Sequence, residues 1–208
     1  MDVPFLVRVA LPALAAAFVI GSIPFAWLLV RVAKGIDVRT IGSGNVGATN
    51  ASRAFSGRGA RTAAFLAVYA LDAGKGFAAA SIGAATPTLA VLCAAAAVLG
   101  HVFTPFLRCR GGKGVATATG TLFALEWRVT LIALGVFFLV RWLSGQVFFG
   151  SLALGFALPV AAYALHPDTA FGPHLPLFAL CCVLAAFLCW THRSNLRKHF
   201  AARTTGDA

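Results

Sequence analysis

Residues 11–30 read LPALAAAFVIGSIPFAWLLV, twenty positions without a charge, and only then come Arg31 and Lys34. An α-helix rises about 1.5 Å per residue, so a run of this length matches the roughly 30 Å hydrocarbon layer of a bilayer. The small residues Ala13, Ala15, Ala16 and Ala17 resemble the cleavage region of a secretory leader. The apolar run nevertheless continues through Trp27 and Leu28, longer than a leader's apolar core, and the expectation is a retained span.

Working outward, five more runs approach the same length: residues 62–84, 88–107, 129–142, 147–165 and 175–190, with a shorter seventh at 114–125. The 208 residues are 60% apolar with a mean hydropathy of +0.86, against an apolar share of about 45–50% in soluble domains. A disordered chain and a small disulfide-stapled secreted domain are excluded. The five cysteines agree, being odd in number and free of C-x-x-C spacing. Cys93, Cys181, Cys182 and Cys189 lie in apolar runs, and Cys109 lies between Arg108 and Arg110.

Charge decides whether residues 114–125 cross. Cytoplasmic loops collect Lys and Arg. Seven crossings with the N-terminus outside put 14 of the 17 basic residues on the inner side, leave Arg8 and Arg128 outside, and place Lys75 within a span. Six crossings would put the quartet Arg193, Arg197, Lys198 and Arg203 opposite the first loop. The expectation is therefore an all-α polytopic membrane protein of seven transmembrane helices, the fourth short, N-terminus outside and C-terminus cytoplasmic, with residues 1–208 forming one domain. Most of the net charge of +11 is then topogenic or faces anionic lipid headgroups, and nucleic acid is not an expected partner.

Topogenic charge does not explain glycine. The first inner loop reads Gly42-Ser43-Gly44-Asn45-Val46-Gly47-Ala48-Thr49-Asn50, with Arg53 three positions on. Glycines let successive backbone N–H groups converge on an anion, and Ser, Thr and Asn add donors. The formal G-x-G-x-x-G match is not a dinucleotide fingerprint, because no strand precedes it and the position twenty residues on is Thr62. The second inner loop, Arg108-Cys109-Arg110-Gly111-Gly112-Lys113-Gly114, opens the short fourth helix, whose N-terminus favours an anion. It is not a phosphate-binding P-loop, since Leu107 and Gly114 stand where that motif requires Gly and Ser or Thr. Gly112 is expected to need a positive φ and close approach to a phosphate.

Within the second span, Asp72 and Lys75 are spaced to pair and brace the bundle. Ser22, Pro24 and Pro159 read as packing and kink positions. His166 and His174 belong to an outer loop and are expected to face solvent, whereas His101 and His192 fall near the inner face. No His, Cys or carboxylate grouping has metal-ligand spacing, and no His is followed five residues on by Asp, so the acid–base pair of many acyltransferases is missing. Neither metal nor cofactor is expected.

Taken together, Gly21-Ser22-Ile23-Pro24-Phe25, Gly35-Ile36-Asp37-Val38-Arg39 running into the first glycine loop and Arg53, Leu71-Asp72 with Lys75-Gly76, Gly100-His101 leading to Gly111-Gly112-Lys113-Gly114-Val115-Ala116-Thr117, and His192-Arg193-Ser194-Asn195 closely resemble one family over nearly the whole chain. It is the PlsY family of bacterial membrane glycerol-3-phosphate acyltransferases, which use acyl phosphate as donor. The resemblance implies transfer of a fatty acyl group to the 1-hydroxyl of glycerol-3-phosphate at the cytoplasmic side of the inner membrane, giving lysophosphatidate and inorganic phosphate. It implies catalytic roles for Ser43, Arg53, His192 and Asn195. It implies substrate-binding roles for Gly42, Asn45, Thr49, His101, Gly111, Gly112, Lys113, Gly114, Thr117 and Ser144. Ala202 and Thr204 stand where the family has Gly and Glu, and Val147 replaces a second Ser. A carrier for a small phosphorylated anion is the alternative, although no inverted repeat of the kind carriers show is visible.

Overall fold

The protein is represented by a computed structural model that describes residues 3–204, leaving aside the side chains of Val3, Leu6 and residues 202–204. The departures at Ala202 and Thr204 therefore lie outside the described side chains. The described residues form helices and turns without a β-strand. The chain divides between Leu125 and Glu126 into two compact units.

The first unit contains α1 (Leu11–Ser22), α2 (Phe25–Lys34), α3 (Arg58–Ile82), α4 (Pro87–Val102) and α5 (Val115–Leu125). Pro24 interrupts the first apolar run: α1 stops at Ser22, α2 starts at Phe25, and the carbonyls at the break lose their helical donors. Two side chains from elsewhere in the unit, one on α3 and one in the turn after α4, donate to them. Thr104 Oγ1 donates to Ser22 O at 2.7 Å, and Lys75 Nζ donates to Ile23 O at 2.6 Å. The kink expected at Pro24 is thus a full break. Small residues bring α1 and α4 together, with Gly21 against Ala97 and Gly100 against Phe18 and Ser22, the packing that membrane helices use where apolar side chains gain nothing over lipid.

At one end of this unit Ala26 and Val30 of α2, Val68 of α3, and Val38, Val46, Ala51 and Leu107 from the loops form a buried apolar cluster. Burying each of these side chains stabilises by about 1–3 kcal/mol, and together they hold the first glycine loop against the helices.

The second unit contains α6 (Trp127–Ser144), α7 (Val147–Leu165), α8 (Leu175–Thr191) and α9 (Arg193–Thr204). Pro159 lies inside α7 without ending it. Glu126 caps α6: its carboxylate accepts from Arg128 N at 3.2 Å, pairs with Arg128 Nε at 3.0 Å, and lies 3.1 Å from His166 Nε2. These partners pull the Glu126 carboxyl down to about 2, the Arg128 hydrogen bond contributing most. His166 and His174 are half-buried and stacked, ring centroids 4.0 Å apart, rather than solvent-facing. The surface contacts of the loop between α7 and α8 consume polar groups that a sequence reads as free.

Five helical segments are long and apolar enough to cross a bilayer: Val7–Lys34, Arg58–Ile82, Pro87–Leu107, Trp127–Ser144 and Val147–Leu165. Leu175–Thr191 joins Arg193–Ala201 through a 47° bend as a sixth. The eleven residues of α5 are apolar but reach only about 16 Å, half the hydrocarbon thickness.

Candidate active site

The first glycine loop is built around Asn50. This side chain is 2% exposed. Its Oδ1 accepts from Ser43 N at 2.9 Å, and its Nδ2 donates to Val38 O at 2.8 Å and Ile41 O at 3.1 Å. One buried amide therefore ties together segments seven, nine and twelve residues away. The chain turns at residues 41–44 through a Gly44 N to Ile41 O bond, with Gly42 at φ +53° and Gly44 at φ +71°. Both values lie in the left-handed region where a Cβ is penalised. At Gly42 space is also short, because a Cβ would press on Asn50 Oδ1 and the Arg53 guanidinium. Ser43, Thr49 and Arg53 are exposed, and Asn45 is half-buried beside Gly47.

The neighbouring Arg39 is already committed. It clasps Asp37, with Nε at 3.0 Å from Oδ1 and Nη2 at 2.6 Å from Oδ2, and this guanidinium holds the Asp37 carboxyl well below the usual carboxylate range. Arg53 forms no ion pair among the described residues.

The second loop folds back on the end of α4. Arg108 and Cys109 take the left-handed conformation, φ +55° and +58°, so that Gly111 N donates to Val102 O at 3.0 Å and Gly112 N to His101 O at 3.3 Å. Those two N–H groups serve the helix end rather than an open nest. The positive φ expected at Gly112 lies instead at Gly114, φ +84°. Gly112 is needed for space: a Cβ would collide with His101 Nε2 and with Val46 O. The two glycine loops thus meet, Val46 of the first against Gly112 of the second. Lys113 is half-buried beside this contact, and Thr117, one turn into α5, is fully buried with a hydroxyl that has no hydrogen-bond partner among the described residues.

Behind the second loop, His101 Nδ1 lies 3.5 Å from Asp72 Oδ1, the same oxygen that Lys75 Nζ approaches at 2.8 Å. The Asp72–Lys75 pair expected from the i,i+3 spacing is present. Its link to His101 was not legible, because it depends on how α3 packs beside α4.

In the second unit, His192 ends α8 and is 3% exposed, with Nδ1 2.9 Å from Leu188 O. A carbonyl only accepts, so Nδ1 carries a proton. Asn195 stands in the first turn of α9, its N–H bonded to His192 O at 2.9 Å. Ser144 closes α6, its hydroxyl bonded to Gln146 O and N at 3.3 Å. Among the described residues no group of three or more His, Cys, Asp and Glu side chains is arranged to hold a metal ion.

Apolar helices of membrane length and two adjoining glycine-rich loops edged by basic side chains define the class: a polytopic helical membrane protein equipped to meet a small anion. The sequence profile of the glycerol-3-phosphate acyltransferases matches residues 11–202, and the chain belongs to that family of integral membrane acyltransferases. A relative from Gluconobacter oxydans, named glycerol-3-phosphate acyltransferase, is 42% identical over 194 residues, covering 90% of this chain and 88% of that one. The crystal structure of PlsY, described as an integral membrane glycerol 3-phosphate acyltransferase, in its glycerol 3-phosphate form is similar with a TM-score of 0.82 at 30% identity. It covers 95% of this chain and 93% of that one. The lysophosphatidic acid form of the same protein gives a TM-score of 0.79 at 29% identity, with the same coverage.

Proposed function

We propose that the chain transfers a fatty acyl group from acyl phosphate to the 1-hydroxyl of glycerol-3-phosphate, releasing lysophosphatidate and inorganic phosphate, at the cytoplasmic face of a bacterial inner membrane, with residues 1–208 working as one domain. The observation that carries the reading is the contact between the two glycine loops at Val46 and Gly112, which gathers Ser43, Arg53 and Lys113 on adjoining loops. Both substrates bear phosphate, and two adjoining cationic loops suit a pair of phosphorylated partners better than one. Family membership favours this enzyme over the carrier.

In the reaction the glycerol hydroxyl oxygen attacks the acyl carbonyl carbon, the bond from that carbon to the phosphate oxygen breaks, and the hydroxyl proton passes to the departing phosphate. Acyl phosphate is a mixed anhydride whose leaving group has a second pKa near 6, by analogy with phosphorylated side chains, so the substrate itself serves as base. The protein's task is then to align the partners and meet developing charge. Ser43 and Arg53 polarise the donor, with Gly42, Asn45 and Thr49 shaping its loop. Lys113 meets the acceptor phosphate on the loop that Gly111, Gly112 and Gly114 shape, with His101 and Thr117 beneath them. His192, Asn195 and Ser144 keep the roles that the family motifs imply, and the acyl chain lies among membrane lipids and apolar helices.

The test is to incubate purified protein with glycerol-3-phosphate and either palmitoyl phosphate or palmitoyl-CoA. Lysophosphatidate formed from the acyl phosphate alone supports the reading. Product from the CoA thioester alone reassigns the donor, and product from neither sinks the proposal.

A further inference from the structure

Two buried ionisable side chains, Asp72 (2% exposed) and Lys75 (5%), take no part in the reaction just described, and a third, His101 (7%), underlies the loop proposed for the acceptor phosphate. Removing charges from water costs several kcal/mol per ion, so each one calls for a reason. Lys75 has its own, since it satisfies Ile23 O at the break before Pro24 and lies over the Phe25 ring. A counter-ion for Lys75 is all a structural account would need from Asp72. The Asp72 carboxylate nonetheless also faces His101 Nδ1.

We propose that Asp72 is a positioning residue for the second glycine loop, acting through the His101 ring that forms the floor under Gly112. Asp72 Oδ1 makes no hydrogen bond among the described residues, and at 3.5 Å its contact with His101 Nδ1 is electrostatic; negative charge at that spot favours the ring with its proton on Nδ1 and with that edge turned toward Asp72. The opposite ring atom, Nε2, is the one against Gly112, at a spot without room for a methyl group. Backbone bonds from Gly111 and Gly112 to the carbonyls of Val102 and His101 fasten the loop to the same residue. A His101 ring free to turn would push Gly112 toward Val46 O and thus disturb both loops together. The order is Asp72, His101, Gly112, Val46, and only the last two belong to the loops that meet substrate. This inference rests on the acyltransferase reading only for its kinetic arm.

The full chain in detergent micelles, labelled with ¹⁵N-histidine, provides the direct test, the His101 signal being assigned from its loss in His101→Gln. A proton on Nδ1 in the parent and mixed tautomers in Asp72→Ala are expected. A parent proton on Nε2 alone, or a tautomer unchanged by Asp72→Ala, overturns the proposal whether or not the protein proves to be an acyltransferase. In the kinetic arm, Asp72→Ala raises KM for glycerol-3-phosphate about tenfold with kcat within about threefold, and Asp72→Asn, which keeps partial negative charge at Oδ1, restores most of the KM. The double variant Asp72→Ala/His101→Gln is no worse than His101→Gln alone. Independent, multiplying effects, or a loss of kcat with KM unchanged, contradict the proposal. Should Asp72→Ala fail to fold, the parent tautomer and Asp72→Asn decide.

Discussion

Asn50 holds three backbone groups from one buried amide, and no other side chain in the first loop has such reach. Replacing it with Ala leaves Val38 O and Ile41 O without that donor, which costs about 3 kcal/mol, so Asn50→Ala lowers the Tm and leaves less activity than Thr49→Ala. Ser43→Ala and Arg53→Ala are the complementary case. Both side chains are exposed, so each should abolish most turnover while the Tm stays put; retained turnover in either removes that residue from the mechanism. Gly112→Ala raises the apparent KM for glycerol-3-phosphate because a methyl group displaces His101 and Val46, and an unchanged KM would show the loop to be a turn only. The two glycine loops were legible in the sequence because spacing alone carries them, whereas the roles given to Ser43 and Arg53 come from the family resemblance. Asn50 was legible only as a motif letter, since hydrogen bonds across seven to twelve residues follow from the folded path of the chain. The need for Gly112 was read correctly as a need for glycine and wrongly as a need for φ, because steric closeness to His101 is a tertiary fact.

At the scale of helices, the start of α6 depends on Glu126. Its carboxyl sits at about 2 in the folded protein against 4.5 ordinarily. A lowered carboxyl pKa stabilises fully above the unfolded value and is lost as pH falls through the folded one. The Tm difference between the parent and Glu126→Ala should accordingly be constant above pH 4.5 and shrink as the pH drops toward about 2; a difference that persists at pH 2 would mean Glu126 acts by packing alone. Helix positions were the most legible part of this molecule, because six apolar runs need only length. The break after Ser22 was half legible: Pro24 announces a kink, but Lys75 and Thr104, which make a complete break tolerable, come from α3 and from the turn after α4.

For the whole chain, the expected arrangement is seven crossings, N-terminus outside, and the count turns on α5, whose length alone reaches only half of a bilayer. A reporter fused to the C-terminus should be cytoplasmic and one at the N-terminus external. A periplasmic C-terminus would mean that residues 115–125 do not cross and would separate the third motif from the first. On α6, exposed Trp127 and Trp142 stand fifteen residues apart, roughly 22 Å along the axis, and put at both ends of the helix the residue type enriched at membrane–water interfaces. That placement supports a full crossing by α6 and gives the charge count an independent anchor.

The break in the first apolar segment also bears on biosynthesis. Ile23 O has a local donor in Phe25 N and gains Lys75 52 residues on, but Ser22 O waits for a donor encoded 82 residues later. At a synthesis rate of about 5–20 residues per second, the nascent chain carries that carbonyl for roughly 4–16 s before Thr104 has been made. Insertion of the first hairpin is therefore expected to stay reversible until the third long helix arrives. Chains truncated before residue 104 should be degraded faster in vivo than chains truncated just after α5, a difference that pulse-chase labelling would measure.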